Sequence, residues 1–357
     1  MPGIVIIRRE GNIQEMVNMM PTIKDVAKLA NVSPSTVSRV IANNPRISNK
    51  TKEIVNDAME KLGYHPNFTA RSLASKSTQT IGLVMPSSGE KVLQNPFFPE
   101  VIRGISTKSH ENRYGLYMTT GNTEDEILEG VYELVQGRRI DGLILLYSQV
   151  NDRMMSYLLD KGFPFTVIGK PFQNENQITY VDNDNVKAAF EATSYLTELG
   201  HERIAFVGGG MELVVTIDRL EGYRKAMESA SIAVREDYIG HHEFLREGGR
   251  EAIEKLINLD APPTGLVVTD DVMAFGIVNT LEQMGLKVPQ DTSLVSFNNV
   301  IFSELATPSL TSVDINIFRL GYEAAQCLFE KINQAELPPR RITIPHQLVV
   351  RDSCRRV

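Results

Sequence analysis

Cysteine is scarce in this chain: its 357 residues hold two, Cys327 and Cys354, and they make no C-x-x-C spacing. That leaves no cysteine metal cage and no disulfide framework, and two lone thiols point to a reducing compartment, expected to be the cytoplasm. Long apolar runs are missing too. None approaches the ~18–20 residues that cross a bilayer. The opening "IVII" is shorter than the ~7–15 residues of a signal peptide's apolar region, and its arginines follow rather than precede it. No membrane partner is expected. Catalytic signatures are the third absence. The glycine cluster "VGGGMEL" (207–213) has neither the G-x-G-x-x-G spacing nor a P-loop's Gly-Lys-Ser/Thr, so a tight strand-to-loop turn is expected there. His201, His241 and His242 lie outside any H-E-x-x-H context, and no G-x-S-x-G elbow occurs. No metal, cofactor or catalytic residue is expected, and the chain reads as a non-enzyme.

What is present is an uneven distribution of charge. Residues 22–77 carry nine lysines and arginines against four aspartates and glutamates, a net +5. Residues 1–21 balance to zero, which leaves −12 on residues 78–357 within a total of −7. A basic head on an acidic body is the pattern of a DNA-binding module fused to something else. The acidic body repels a duplex, leaving the head to bind it. The length allows two or three domains at ~100–200 residues each.

The head reads as helices. Thr22 with Asp25 three residues later resembles a capping box, and Ile23, Val26, Ala27 and Ala30 form one apolar face. Asn31 stands where the chain must turn sharply. Ser33 can cap a second helix, and Pro34 suits its first turn. Val37, Val40 and Ile41 then face inward, while Pro34, Ser35, Ser38, Arg39 and Ala42 point outward, with Thr36 at the edge. That small, polar face could approach a groove closely, with Arg39 placed for a bidentate contact to guanine. The alternative is a plain helical hairpin with no nucleic acid. A third helix is expected over 49–62, closed by Gly63, and "NFTARSLASKST" is either a free linker or a short helix with Leu73 beside Ala70.

"TIKDVAKLANVSPSTVSRVI", "LGYHPNFTARSLASKSTQTIGLV" and "TDDVMAFG" resemble the LacI/GalR family of bacterial regulators, from Thr22 to about Asp352. The resemblance implies an α/β protein: an N-terminal all-α helix-turn-helix head and hinge helix joined to a two-lobed, doubly wound, periplasmic-binding-protein-like body. The head would span 22–66 and the hinge helix and linker 67–79. The near lobe would take about 80–180 and 316–344, the far lobe about 181–315 and 345–357, with crossings near 181, 315 and 345. DNA contacts are implied for Thr22, Pro34, Ser35, Thr36, Ser38 and Arg39, and for Asn67, Ala70, Arg71, Leu73 and Ala74 of the hinge. Leu73 would wedge into the minor groove, and a homodimer would read a palindromic operator. Ala42 departs from the asparagine of many members. Residues 1–21 have no family counterpart, and Met19 or Met20 is a candidate start. The ending "VVRDSCRRV" has no leucine heptad, so no tetramerising tail is expected.

In the body, apolar runs such as "TIGLVM", "DGLILL", "RIAFVGG" and "TGLVVT" alternate with amphipathic stretches, as in parallel sheets covered by helices. Ligand is then expected at the carboxyl ends of the strands, in a cleft. Asp270 and Asp271 open a helix; one is expected to cap it, and the other could accept two sugar hydroxyls. The resemblance gives the sugar to Asp271 and the ligand clamp to Arg219. Phe97 and Phe98 could stack on pyranose rings, although one of two adjacent phenylalanines is usually core. Asn298 and Asn299 replace a commoner Asp-Asp and favour a neutral sugar, and Ile317 completes the implied effector set. "NPFF" and "SFNN" are most similar to maltose-operon repressors of Gram-positive bacteria, which implies maltose or a related glucoside as small carbohydrate effector. The rivals are a catabolite-control-type regulator using a phosphorylated carrier protein, a sugar receptor without DNA, and a glycoside-processing enzyme.

Overall fold

The computed structural model describes residues 21–41, 44–64, 77–86, 89–119 and 121–357. The chain divides into two compact units, one ending at Lys76 and one spanning Ser77–Val357. In the first, α1 (Ile23–Leu29), α2 (Pro34–Ile41) and α3 (Asn49–Leu62) enclose a small core of Val26, Ala27, Ala30, Val37, Val40, Val55 and Ala58. Val26, Val37 and Val55 are fully buried, each contributing roughly 1.5–3 kcal/mol. Local chemistry sets the ends of these helices. The Asp25 carboxylate accepts from the Thr22 N–H at 2.8 Å and hydroxyl at 2.7 Å, and these bonds hold the Asp25 carboxyl below its usual range. Asn31 takes a φ of 52° at the turn. Ser33 accepts from the Thr36 N–H, and α3 stops at Gly63 with a φ of 61°.

The second unit has two lobes. The first begins with β1 (Thr80–Val84), α4 (Gly89–Gln94), α5 (Phe97–Glu111), β2 (Gly115–Thr119), α6 (Glu124–Gln136) and β3 (Gly142–Leu145). It continues through α7 (Arg153–Asp160), β4 (Phe165–Ile168) and β5 (Tyr180–Asn183). The second comprises α8 (Asn185–Glu198), β6 (Ile204–Gly208), α9 (Val214–Ser229), β7 (Ile239–His241), α10 (Arg246–Leu256), β8 (Gly265–Val268), α11 (Asp271–Gln283), β9 (Ser293–Phe297), α12 (Ile301–Leu305) and β10 (Thr311–Asp314). The chain returns to the first lobe as α13 (Ile317–Asn333) and β11 (Arg341–Ile344), then ends in the second with β12 (Gln347–Val349).

The sheets have the orders β11-β5-β4-β3-β1-β2 and β12-β10-β9-β8-β6-β7, parallel except for β12 against β10. Their central strands, such as β3 and β8, are buried at every residue, which is why they read as continuous apolar runs. Each sheet reverses direction beside one strand, β1 or β6, and there a crevice opens at the carboxyl ends. Close helix packing needs glycine at Gly104 and Gly321. A Cβ on either would lie 2.1 Å from a carbonyl oxygen of the partner helix, Phe318 O or Val101 O.

The chain crosses between sheets after Asn183, after Asp314 and after Ile344. The first crossing was expected near 181, but Tyr180–Asn183 still pairs with β11 in the first sheet. One buried side chain ties all three crossings together: Asn183 Nδ2 donates to Ile315 O at 3.0 Å and Ile344 O at 2.9 Å. Among the described residues no helix is long and apolar enough to cross a membrane.

Candidate functional site

On the head, α2 presents Pro34, Ser35, Ser38 and Arg39 to solvent, with Thr36 half-buried, as its apolar period required. Thr22 is exposed at the start of α1, with its hydroxyl engaged by Asp25. Ser33 Oγ lies 2.8 Å from Ser35 Oγ and 2.9 Å from Thr36 Oγ1, so three hydroxyls gather at the start of α2. Lys24, Lys28, Arg46 and Lys50 are exposed on the same unit. Ala42, Asn43 and the expected hinge contacts Asn67, Ala70, Arg71, Leu73 and Ala74 lie outside the described residues, as do residues 1–20.

In the body, a chamber of about 150 Å³ opens between the lobes at the carboxyl ends of the strands. Phe97, Phe98, Arg219 and Asn298 line it, as the sequence suggested. The two phenylalanine rings meet edge to face with centroids 5.1 Å apart. Both rings reach the chamber while packing against the core, so neither is reserved for the interior.

Arg219 is buried and held on three sides. Its Nε donates to Asn185 Oδ1 at 3.0 Å, its Nη1 donates to Thr269 O at 2.6 Å, and its guanidinium lies 4.3 Å from the Phe297 ring centre. Burial lowers its pKa to about 10, opposed by Asp182 and then Asp270. Asp182 accepts from the Lys170 N–H at 2.9 Å, the Asn183 N–H at 2.7 Å and Asn185 Nδ2 at 2.9 Å. Burial nevertheless pushes its carboxyl up to about 6.

The adjacent carboxylates Asp270 and Asp271 reverse the roles the resemblance gave them. Asp271 is fully buried and does not line the chamber. Its oxygens accept from the hydroxyls of Ser296, Ser303 and Ser312 and from the Val300 N–H at 2.9 Å. With those donors already in place, a sugar hydroxyl has no route to it, and burial raises its pKa to about 6. Asp270 lines the chamber instead. Its Oδ1 caps α11 through the N–H groups of Val272 at 2.8 Å and Met273 at 3.3 Å, while Oδ2 accepts from Asn95 Nδ2 and Asn298 Nδ2, both at 2.9 Å. One residue therefore does both jobs that had been divided between two.

Ile317 is likewise displaced. It is buried in the core at the start of α13, and Ile315 and Leu320 line the chamber in its place. Asn299 turns to Asp314 and Arg351 and leaves the chamber to Asn298. Asn95, Asp182, Asn185, Thr269 and Asp270 are chamber residues that the sequence reading did not select. A signal was available for some of them: polar residues directly after apolar runs, as in "ITYVDND" and "LVVTDD", sit at strand carboxyl ends. The Thr269 hydroxyl is buried there with no hydrogen-bond partner among the described residues.

The lobes also touch away from the three crossings. Gln149 and Leu213 form an antiparallel bridge, with Val150 N–H donating to Glu212 O at 2.9 Å and Val214 N–H to Ser148 O at 3.2 Å. Asn95 reaches across to Phe244 O at 3.3 Å as well as to Asp270.

Comparison with known proteins brings the two units under one heading. Residues 22–67 match the family described as bacterial regulatory proteins, lacI family, and residues 193–354 match a periplasmic binding protein-like domain. The chain is 42% identical over 322 residues to the HTH-type transcriptional regulator MalR of Streptococcus pneumoniae serotype 4, covering 88% of this chain and 94% of that one. A solved transcriptional regulator LacI from Bacillus cereus subsp. cytotoxis NVH 391-98 shares 53% identity over 77% of this chain and 98% of its own, with a TM-score of 0.76. The transcriptional regulator CelR in complex with cellobiose is 30% identical, covers 93% of this chain and 99% of its own, and gives a TM-score of 0.74.

Proposed function

The chain belongs to the lacI family of bacterial regulatory proteins, and from that premise we propose that it represses a carbohydrate-utilisation operon under the control of a small neutral glucoside of the maltose type. The regulators it resembles include one named for maltose and one solved with cellobiose, both consistent with a glucosyl effector. The observation that carries the reading is the chamber's chemistry. Two phenylalanine faces, the Asp270 carboxylate and the unpartnered Thr269 hydroxyl converge there, the mixture of apolar rings and fixed polar groups that a pyranose requires. Its one cation, Arg219, is offset by buried Asp182 and Asp270, so the site disfavours an anionic ligand such as a sugar phosphate.

On the head, Arg39, Ser35 and Ser38 would read base edges and phosphates of a palindromic operator, with a homodimer supplying two heads. The effector acts by binding two lobe arrangements unequally. The contacts across the cleft from Asn95 to Asp270 and from Ser148–Val150 to Glu212–Val214 would differ between those arrangements. Movement of the first lobe passes to the segment entering the body, because Asp141 accepts from Ser77 Oγ, Thr78 N–H, Thr78 Oγ1 and Gln79 N–H at 2.5–2.9 Å.

The test is an operator-binding titration of the purified protein against a panel of sugars. A glucoside is expected to shift operator affinity, and Asp270→Asn to abolish the shift while operator binding without sugar is retained. A panel with no active sugar would sink the carbohydrate assignment and leave the DNA reading standing.

A further inference from the structure

The chamber already described holds about 150 Å³, below the roughly 300–1,000 Å³ usual for ligand sites. It does not end there. Pro86, Asn95, Phe98, Leu213 and Phe244 also border a second space of about 380 Å³, further out in the cleft. The two together fall within the usual range. Phe98, Leu213 and Phe244 form an apolar neck between them, and beyond it the lining turns polar, with Gln149, Glu212 and His241.

The glycine cluster at 207–213, which matched no phosphate-binding motif, shapes this outer chamber. A Cβ on Gly209 would fall 2.4 Å from the Phe244 ring, and one on Gly210 would fall 2.1 Å from the Glu212 carboxylate. Both glycines leave room for a neighbouring side chain that faces the cleft. His241 Nδ1 lies 2.9 Å from Gly209 O, and a carbonyl can only accept, so Nδ1 carries the proton and Nε2 of the neutral ring is left as an acceptor. Glu212 and His241 are exposed and therefore reachable. No lysine or arginine lines the outer chamber among the described residues, so a polyhydroxyl compound fits it and an anion does not.

We infer that the effector spans both chambers and is at least a disaccharide. One pyranose is held in the inner chamber by the groups already named, and a second glycosyl unit is held in the outer chamber by Glu212, His241 and Gln149. These three are specificity-determining residues for chain length. This rests on the carbohydrate reading above and goes beyond it by predicting that a single sugar is a poor effector.

The experiment is calorimetric titration of the full chain with glucose, maltose and cellobiose, repeated on a double variant carrying Glu212→Gln and His241→Ala. At least one disaccharide is expected to bind about tenfold more tightly than glucose, the gain of two or so added hydrogen bonds. The double variant should lose that gain while its glucose affinity stays within about twofold, since the altered groups lie outside the inner chamber. Both side chains are exposed, so its melting temperature should match that of the unaltered protein. Glucose binding as tightly as both disaccharides would overturn the inference, as would an equal loss for glucose and disaccharide in the variant. Failure of the underlying carbohydrate reading looks different: no sugar would bind at all, and both would fall together.

Discussion

The head offers its candidate contacts on an exposed helix face, whereas the body encloses its own between two lobes. On α2, Ser35, Ser38 and Arg39 come from a single eight-residue element, held outward because Val37 and Val40 are held inward. In the body, Asn95, Asp182, Arg219, Asp270 and Asn298 come from five separate segments and meet only when both sheets have formed. A contiguous site inherits its geometry from helical periodicity. A site assembled from distant segments inherits it from the packing of the whole domain, so its groups are buried and electrostatically coupled. The lesson is that exposed groups can change with little effect on stability, whereas a change in the cleft must be judged for fold and ligand together.

Asp271→Ala is the sharpest way to break this comparison. Removing a buried acceptor of three serine hydroxyls and one N–H should cost about 2–4 kcal/mol of stability, measured by chemical denaturation of the body. If Asp271→Ala kept full stability and lost only its sugar response, the division of labour between Asp271 and Asp270 would have to be reversed.

A second expectation concerns the exposed face. Arg39→Ala should remove about 1–3 kcal/mol of discrimination at one operator position, with denaturation of the protein unchanged. Binding measurements on single-base operator variants check this. A uniform loss across all variants would make Arg39 a phosphate contact instead.

The smallest effect expected is on pH dependence. Burial raises the carboxyls of Asp152, Asp182 and Asp271 from 3.8 to about 6. The folded state therefore binds these protons more tightly than the unfolded chain, so their contribution to stability falls as pH rises from about 4 through 6. Asp152 lies away from the cleft chambers, and its Oδ2 is buried with no partner among the described residues, while Oδ1 caps α7 through the Met155 N–H at 2.8 Å. Asparagine caps equally well. Asp152→Asn should then stabilise the protein by about 1–2 kcal/mol at pH 7, with the gain vanishing below pH 4. Urea unfolding at both pH values decides it, and an equal effect at both would mean that ionisation of Asp152 is not the cause.

Much of the fold was legible beforehand because its signals are local. The capping pair Thr22 and Asp25, the turn at Asn31 and the stop at Gly63 each depend on residues within a few positions. The alternation of apolar runs with amphipathic stretches was enough to indicate two doubly wound lobes. Phe97, Phe98, Arg219 and Asn298 were found as chamber residues, three of them at the ends or starts of recognisable elements. Asp182, Asn185 and Asn95 were not, because nothing in their neighbours along the chain distinguishes them from ordinary caps and turns.

The sequence by itself determined the helical faces, the buried strands and the basic head on an acidic body, since period, capping and charge act over a few residues. Tertiary structure alone decided which of two adjacent aspartates meets the cleft. At the start of α11 the backbone turns from extended to helical, so successive side chains leave in different directions. Asp270 then faces the other lobe, and Asp271 turns back among the serines of β9, α12 and β10. That choice depends on where Ser296, Ser303, Ser312 and Asn95 lie, and only the packed sheets bring those residues together.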